Sequence, residues 1–280
     1  MTTHAIALGR RSRVAIGLVT LVGIAAFVWP LVAAPHSAAI AHAGDAPILF
    51  AVLVPLLLVV VLAQLADGNM DAKAIAMLGV LAAVITALRP LGGGVAGIEP
   101  IWAVLILGGR ALGPGFGFSL GAISMFSSAL VTGGVGPWLP FQMIAAAWVG
   151  MGAGLLPALR GRRELFLLAA YAGLACLAYG LLLNLWFWPF TAGLPAQLAF
   201  IPGAGPLVNL TSWVRFSLVT SLGFDLPRAA LTVLAILVAG TPILNSLRRV
   251  SRKAAFGAQP TFEPEPATIT LDHVTGRMSA

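Results

Sequence analysis

Charge is scarce in this sequence. Lys and Arg number 16 and Asp and Glu 9, together 9% of 280 residues, where an ordinary soluble domain carries about 25%. With 59% hydrophobic residues and a mean hydropathy of +0.99, the chain lacks the polar surface to coat a globule in water. A soluble enzyme and a disordered chain are excluded. Cysteine is reduced to Cys176, which excludes a secreted disulfide scaffold. The histidines, His4, His36, His42 and His273, lie outside the apolar runs and form no metal-ligand cluster, so no metal is expected. A Walker lysine motif is missing, so the chain does not hydrolyse ATP by itself. Glu99, Glu164 and Asp225 sit near the ends of apolar runs and suggest no proton relay. The formal charge of +7 comes from basic residues scattered between apolar runs, a distribution that argues against a nucleic-acid partner.

What is present is a series of long continuous apolar runs. They are too long and too unbroken for the alternating strands of about 10 residues in an outer-membrane barrel. A helical crossing needs about 20 apolar residues, and the sequence predicts an all-α polytopic membrane protein with about eight transmembrane helices, near 14–34, 46–66, 72–88, 98–107, 115–131, 138–156, 165–188 and 227–247. Arg10, Arg11 and Arg13 place the basic N-terminus, 1–13, in the cytoplasm. Eight crossings then bring Lys73, Arg110, the Arg160–Arg162–Arg163 cluster and the basic tail (Arg248, Arg249, Arg252, Lys253) to the same side, leaving only Arg89, Arg215 and Arg228 outside. Both termini are therefore expected in the cytoplasm and the chain in the cell membrane. The first run is too long for a signal-peptide core and is expected to be retained. The polar 248–280 tail, with Pro260, Pro264 and Pro266, is expected to be disordered. The connection 190–226 is long and partly apolar, and is expected to lie at the interface, re-enter, or cap a cavity.

Several local patterns carry information. Ala72, Ala76, Gly79, Ala83 and Ala87 follow steps of four, three, four and four, one narrow face of the third span. Small faces allow close helix approach in lipid, and spacing alone leaves open whether that serves internal packing or docking of another subunit. Gly113, Gly117 and Gly121, and Ala146, Gly150 and Gly154, form two further stripes, best read as tight packing within a bundle. Toward the outer ends, Arg89 closes the third span and Glu99 and Trp102 begin the fourth, flanking a glycine-rich loop. These residues serve either a polar ligand or a structural ion pair. VTGGVGPWLPFQM, 131–143, places Trp138 and Gln142 one turn apart, and Asn184 and Trp188 add to the same outer half. Tryptophans also form interfacial belts, whereas belts need no buried amides. Arg89, Glu99, Trp102, Trp138, Gln142, Asn184 and Trp188 are thus the candidate substrate-binding residues, and no catalytic residue is expected.

From about 72 to 157 the chain resembles the substrate-binding S component of energy-coupling factor (ECF) vitamin transporters. The resemblance rests on the AxxxA spacing at Ala72/Ala76 and Ala83/Ala87 and on GRALGPGFGFSLGAISMFSSAL at 109–130. It rests most on GPWLPFQM at 136–143, followed by Trp148 and by Gly150 to Gly154, which is similar to a segment of the cobalamin-type subgroup. It implies a six-helix core, 72–247, preceded by two additional spans, 14–66. It implies that Ala72, Ala76, Gly79, Ala83 and Ala87 dock on a transmembrane T component, that two cytoplasmic ATPases use the ATP, and that the chain itself needs no cofactor. It further implies capture of a vitamin-like molecule near the outer surface, a gate at 89–99, and toppling within the bilayer to release the cargo. The sequence departs from the pattern in its two leading spans and in Phe141, which stands where a tryptophan is expected. The rival reading is an autonomous secondary transporter or channel. A lipid-modifying enzyme would need clustered Asp, His or Ser at one membrane face, and none is seen.

Overall fold

The computed structural model describes residues 6, 8–32, 55–57, 59–60, 63–64, 67, 70–92 and 97–254. The span expected at 46–66 lies largely outside these residues, as do 93–96 of the glycine-rich loop and the tail beyond 254. All secondary structure among the described residues is helical: α1 Arg10–Val32, α2 Ala72–Leu88, α3 Ile101–Leu112, α4 Pro114–Thr132, α5 Leu139–Leu155, α6 Arg162–Phe187, α7 Pro206–Thr220 and α8 Leu222–Ala254. Single 3-10 turns, Arg89–Gly92 and Trp188–Phe190, extend α2 and α6. Among the described residues five helical stretches are long and apolar enough to cross a membrane, and α3 and α5 are shorter apolar helices.

The centre is built where α3, α4 and α5 meet. Gly113, with φ of 113°, takes a conformation that side chains disfavour and folds α3 directly back onto α4. A side chain on Gly109 would strike the Gly150 carbonyl, and one on Gly117 would strike that carbonyl and come within 2.9 Å of the Gly109 Cα. Gly121 sits likewise against the Ala146 carbonyl. The two small-residue stripes therefore bring three backbones into direct contact, as dispersion-driven packing in lipid favours. This enclosure explains how a helix of 12 residues, roughly 18 Å long, serves at membrane depth. Every residue of α3 except Val104 is buried, so protein rather than lipid surrounds its ends.

Around this centre α2 packs on α4, α8 packs on α3 and α6, and α1 lies against α5, α6 and α7. Asp71 caps α2, its carboxylate accepting from the Ala74 N–H at 2.8 Å. α1 buries one helical seam, Ile16, Val19, Gly23 and Phe27. Phe27 meets Phe141 edge-on at 5.2 Å, and the Trp148 indole donates to the Thr20 hydroxyl. At the start of α1, Asp67 accepts from the Ser12 hydroxyl at 2.6 Å and the Ser12 N–H at 2.8 Å, and the Ser12 hydroxyl chiefly holds this carboxyl below its ordinary value.

Charged residues gather at opposite ends. At one end Glu164 of α6, 3% exposed, accepts from Arg110 of α3 at 2.7 Å and from Arg248 of α8 at 2.5 Å. Arg110 also donates to the Leu156 and Pro157 carbonyls at 2.8 and 3.0 Å, fastening the end of α5. The connection expected at 190–226 contains several turns, α7 and the first residues of α8. α7 has 15 residues, about 22 Å of helix, less than the roughly 30 Å of a hydrocarbon core. Asn209 anchors it by a reciprocal pair of hydrogen bonds with the Ile201 backbone at 3.1 and 3.0 Å. The final helix begins at Leu222 rather than near Pro227, which lies inside it.

Candidate functional site

At the other end the helices leave a cavity of about 240 Å³. One wall begins with Arg89, the C-cap of α2. Its guanidinium reaches across to α4 and α5. It donates to the Ser128 hydroxyl at 3.0 Å, to the Gln142 side-chain oxygen at 3.0 Å and to the Met125 thioether. Gln142 stands in the first turn of α5, where GPWLP starts the helix, so the amide seen in the sequence is turned inward by Arg89.

The opposite wall is an ion triad. Glu99, just ahead of α3, accepts at one oxygen from the Trp102 indole at 2.6 Å and from Arg228 Nε at 2.9 Å. Arg228 Nη1 donates to Asp225 at 2.6 Å, one turn earlier on α8. The Arg228 guanidinium stands 5.4 Å from the centre of the Tyr179 ring, which lies 4.3 Å from the Trp102 ring. Asp225 fits because residue 180 of α6 is glycine: its carboxylate occupies the space a side chain there would fill. The triad thereby joins the segment before α3 to α6 and α8.

Asn184 of α6 completes the lining. Its oxygen accepts from Ser221 at 2.9 Å, and its Nδ2 is buried with no hydrogen-bond partner. Of the seven residues singled out in the sequence, Arg89, Glu99, Trp102, Gln142 and Asn184 line this one cavity. Trp138 and Trp188 do not. Trp138 is 41% exposed and donates to the Gly134 carbonyl, while Trp188 is fully buried, donates to the Leu198 carbonyl and packs on Phe200. Both tryptophans fasten connections. Tyr179, Asp225 and Arg228 were missed as site residues. The signal for two of them was an acid and an arginine three apart at the head of a long apolar helix, a pair that could neutralise itself at depth. Glu164 and Asp225, expected only near span ends, are buried there and each is paired with arginine. Among the described residues no group of three His, Cys, Asp or Glu is placed to hold a metal.

The small-residue face of α2 points away from the bundle. Ala74, Leu78, Leu81, Ala82 and Ile85 are buried, whereas Ala72, Ala76, Gly79, Ala83 and Ala87 are all exposed, and nothing lies within 4 Å of where a Gly79 side chain would begin. None of the other described helices covers this stripe.

Residues 73–256 match the model of the family described as "ECF transporter, substrate-specific component". No curated protein and no solved structure matches the chain. The match begins at the foot of α2 and takes in the cavity, the glycine-packed centre and both charged ends, which is more than half of the sequence. The chain belongs to the substrate-specific component family of ECF transporters.

Proposed function

We propose that this protein is the membrane-embedded substrate-binding subunit of an ATP-driven importer for a vitamin or related small cofactor precursor. It works in the cell membrane, both termini cytoplasmic, with a T component and two cytoplasmic ATPases that use the ATP. It performs no covalent chemistry. Arg89, Glu99, Trp102, Gln142 and Asn184 hold the cargo, and Ala72, Ala76, Gly79, Ala83 and Ala87 meet the T component. Trp138 and Trp188 support the connections around the site rather than contacting cargo. The cavity volume lies below the 300–1,000 Å³ common for drug-sized ligands, which favours a compact one- or two-ring compound over the corrin macrocycle of the cobalamin-type subgroup.

One observation supports this reading most: α2 carries both halves of the task. Its exposed face is lined with small residues from end to end, and the residue that caps it, Arg89, enters the cavity. A partner gripping that helix is mechanically connected to the cargo. The test replaces Ala76 and Ala83 with leucine. Co-purification with T component and ATPases, and uptake into cells, should be lost, while the isolated variant keeps its melting temperature and ligand binding. Uptake that survives unaltered would remove the basis of the proposal. The rival, an autonomous transporter, draws support from the buried Asp225, although Arg228 already engages that carboxylate. Ion-dependent flux in proteoliposomes holding this chain alone would favour the rival.

A further inference from the structure

The cavity holds two arginines in unlike electrostatic settings. Arg228 faces two carboxylates, Glu99 at 2.9 Å and Asp225 at 2.6 Å. Arg89 donates only to neutral acceptors: a hydroxyl, an amide oxygen and a thioether. Among the described residues no carboxylate forms an ion pair with it. An arginine in surroundings of low polarity ordinarily faces a counter-charge. A second donor shares the cavity, the buried Asn184 Nδ2, which meets no acceptor. Both groups ask for an acceptor. The acids of the opposite wall are engaged by Arg228 and Trp102, and since two carboxylates share one arginine that wall carries a net negative charge, which turns an incoming anion toward Arg89.

We infer that the cargo carries an ionised carboxylate or phosphate and that Arg89 receives it, with Asn184 donating alongside. A planar guanidinium fork suits either group, and charge-assisted hydrogen bonds are the strong ones. Arg89 is then the residue that selects anionic over neutral compounds. This inference rests on the cavity being the substrate site of the importer subunit proposed above.

The test uses the full chain in detergent and matched pairs that differ only in the anionic group: nicotinate and nicotinamide, biotin and biotin amide, pantothenate and pantothenyl alcohol, and pyridoxal 5′-phosphate and pyridoxal. Thermal shift and titration calorimetry read binding. The anionic member of at least one pair should bind and its neutral counterpart bind roughly 10- to 100-fold more weakly. Success among the first three pairs identifies a carboxylate, and success in the last a phosphate. Arg89→Gln should remove the anion's advantage, so that both members of the pair bind with comparable affinity, a result that a merely misfolded variant, which binds neither, would not give. Arg89→Lys should restore part of it. Equal binding of both members, an unchanged advantage in Arg89→Gln, or no binding by any anionic member would each overturn the inference. Assembly with T component and ATPases, measured in parallel, separates the two claims. Assembly without anion preference defeats only the inference, and anion preference without assembly defeats only the importer reading.

Discussion

At the scale of single residues, the same amino acid is used in two opposite ways. Gly117 is required because another backbone occupies the place of its side chain, whereas Gly79 opens onto empty space on the outer flank of α2. Identical substitutions should therefore part company. Gly117→Ala forces α3, α4 and α5 apart and should lower stability by about 1–3 kcal/mol. Gly79→Ala meets nothing and, by better helix propensity, should be neutral or stabilising by up to about 1 kcal/mol. Melting in detergent followed by circular dichroism distinguishes them, and equal effects would mean that the glycine contact is not what holds the centre. Gly180 belongs with Gly117, since the carboxylate it admits is part of the cavity wall.

At the scale of elements, the two charged ends decide how helices are fastened. Glu164 pairs with two arginines, and through them it joins α6 to α3 and α8. Glu164→Gln keeps the shape but leaves Arg110, 5% exposed, without an opposing charge. Removing one partner of a buried pair costs about 3–5 kcal/mol, so the variant should melt well below the wild type. A melting temperature unchanged at neutral pH would show the cluster to be dispensable. These fastenings also mark where sequence reading stopped. Expected helices at 72–88 and 138–156 lie within a residue of α2 and α5, because composition and punctuation by Gly and Pro are local signals. The fourth helix, expected at 98–107, occupies Ile101–Leu112. Gly108, Gly109 and Arg110 look like an ending, and only Gly150 and Glu164, far along the chain, make them helix interior. The last helix, expected from 227, begins earlier for the same reason: Asp225 and Arg228 read as charges at the end of a span until Glu99, 129 residues distant from Arg228, is seen beside them. Arg89 and Gln142 were legible as polar groups in apolar company; that they touch each other was not.

At the scale of the whole molecule, the two ends are chemically unlike. One carries the cavity and the triad; the other gathers Arg110, Glu164, Arg248 and the basic last turn of α8. In the orientation proposed above, this Lys- and Arg-rich second end faces the cytoplasm. Cys176 is buried, so single cysteines introduced into a Cys176→Ala background report cleanly on sidedness. Arg160→Cys, at an exposed position, should react with an impermeant maleimide only in inverted vesicles, and Ala192→Cys, also exposed, only in intact cells. Labelling of both from the same side would break the alternation of helices on which the outward cavity depends.

The contact of bare backbones among α3, α4 and α5 constrains how a guest is admitted. Trp102, Met125 and Gln142 reach the cavity from this trio, and prising its members apart would break the backbone contacts and open voids between them. That side of the chamber behaves as a fixed jamb. In the proposed importer, opening is therefore expected at the charged rim instead, where Arg89 and the Glu99–Arg228 clasp are held by side-chain hydrogen bonds that can break and re-form.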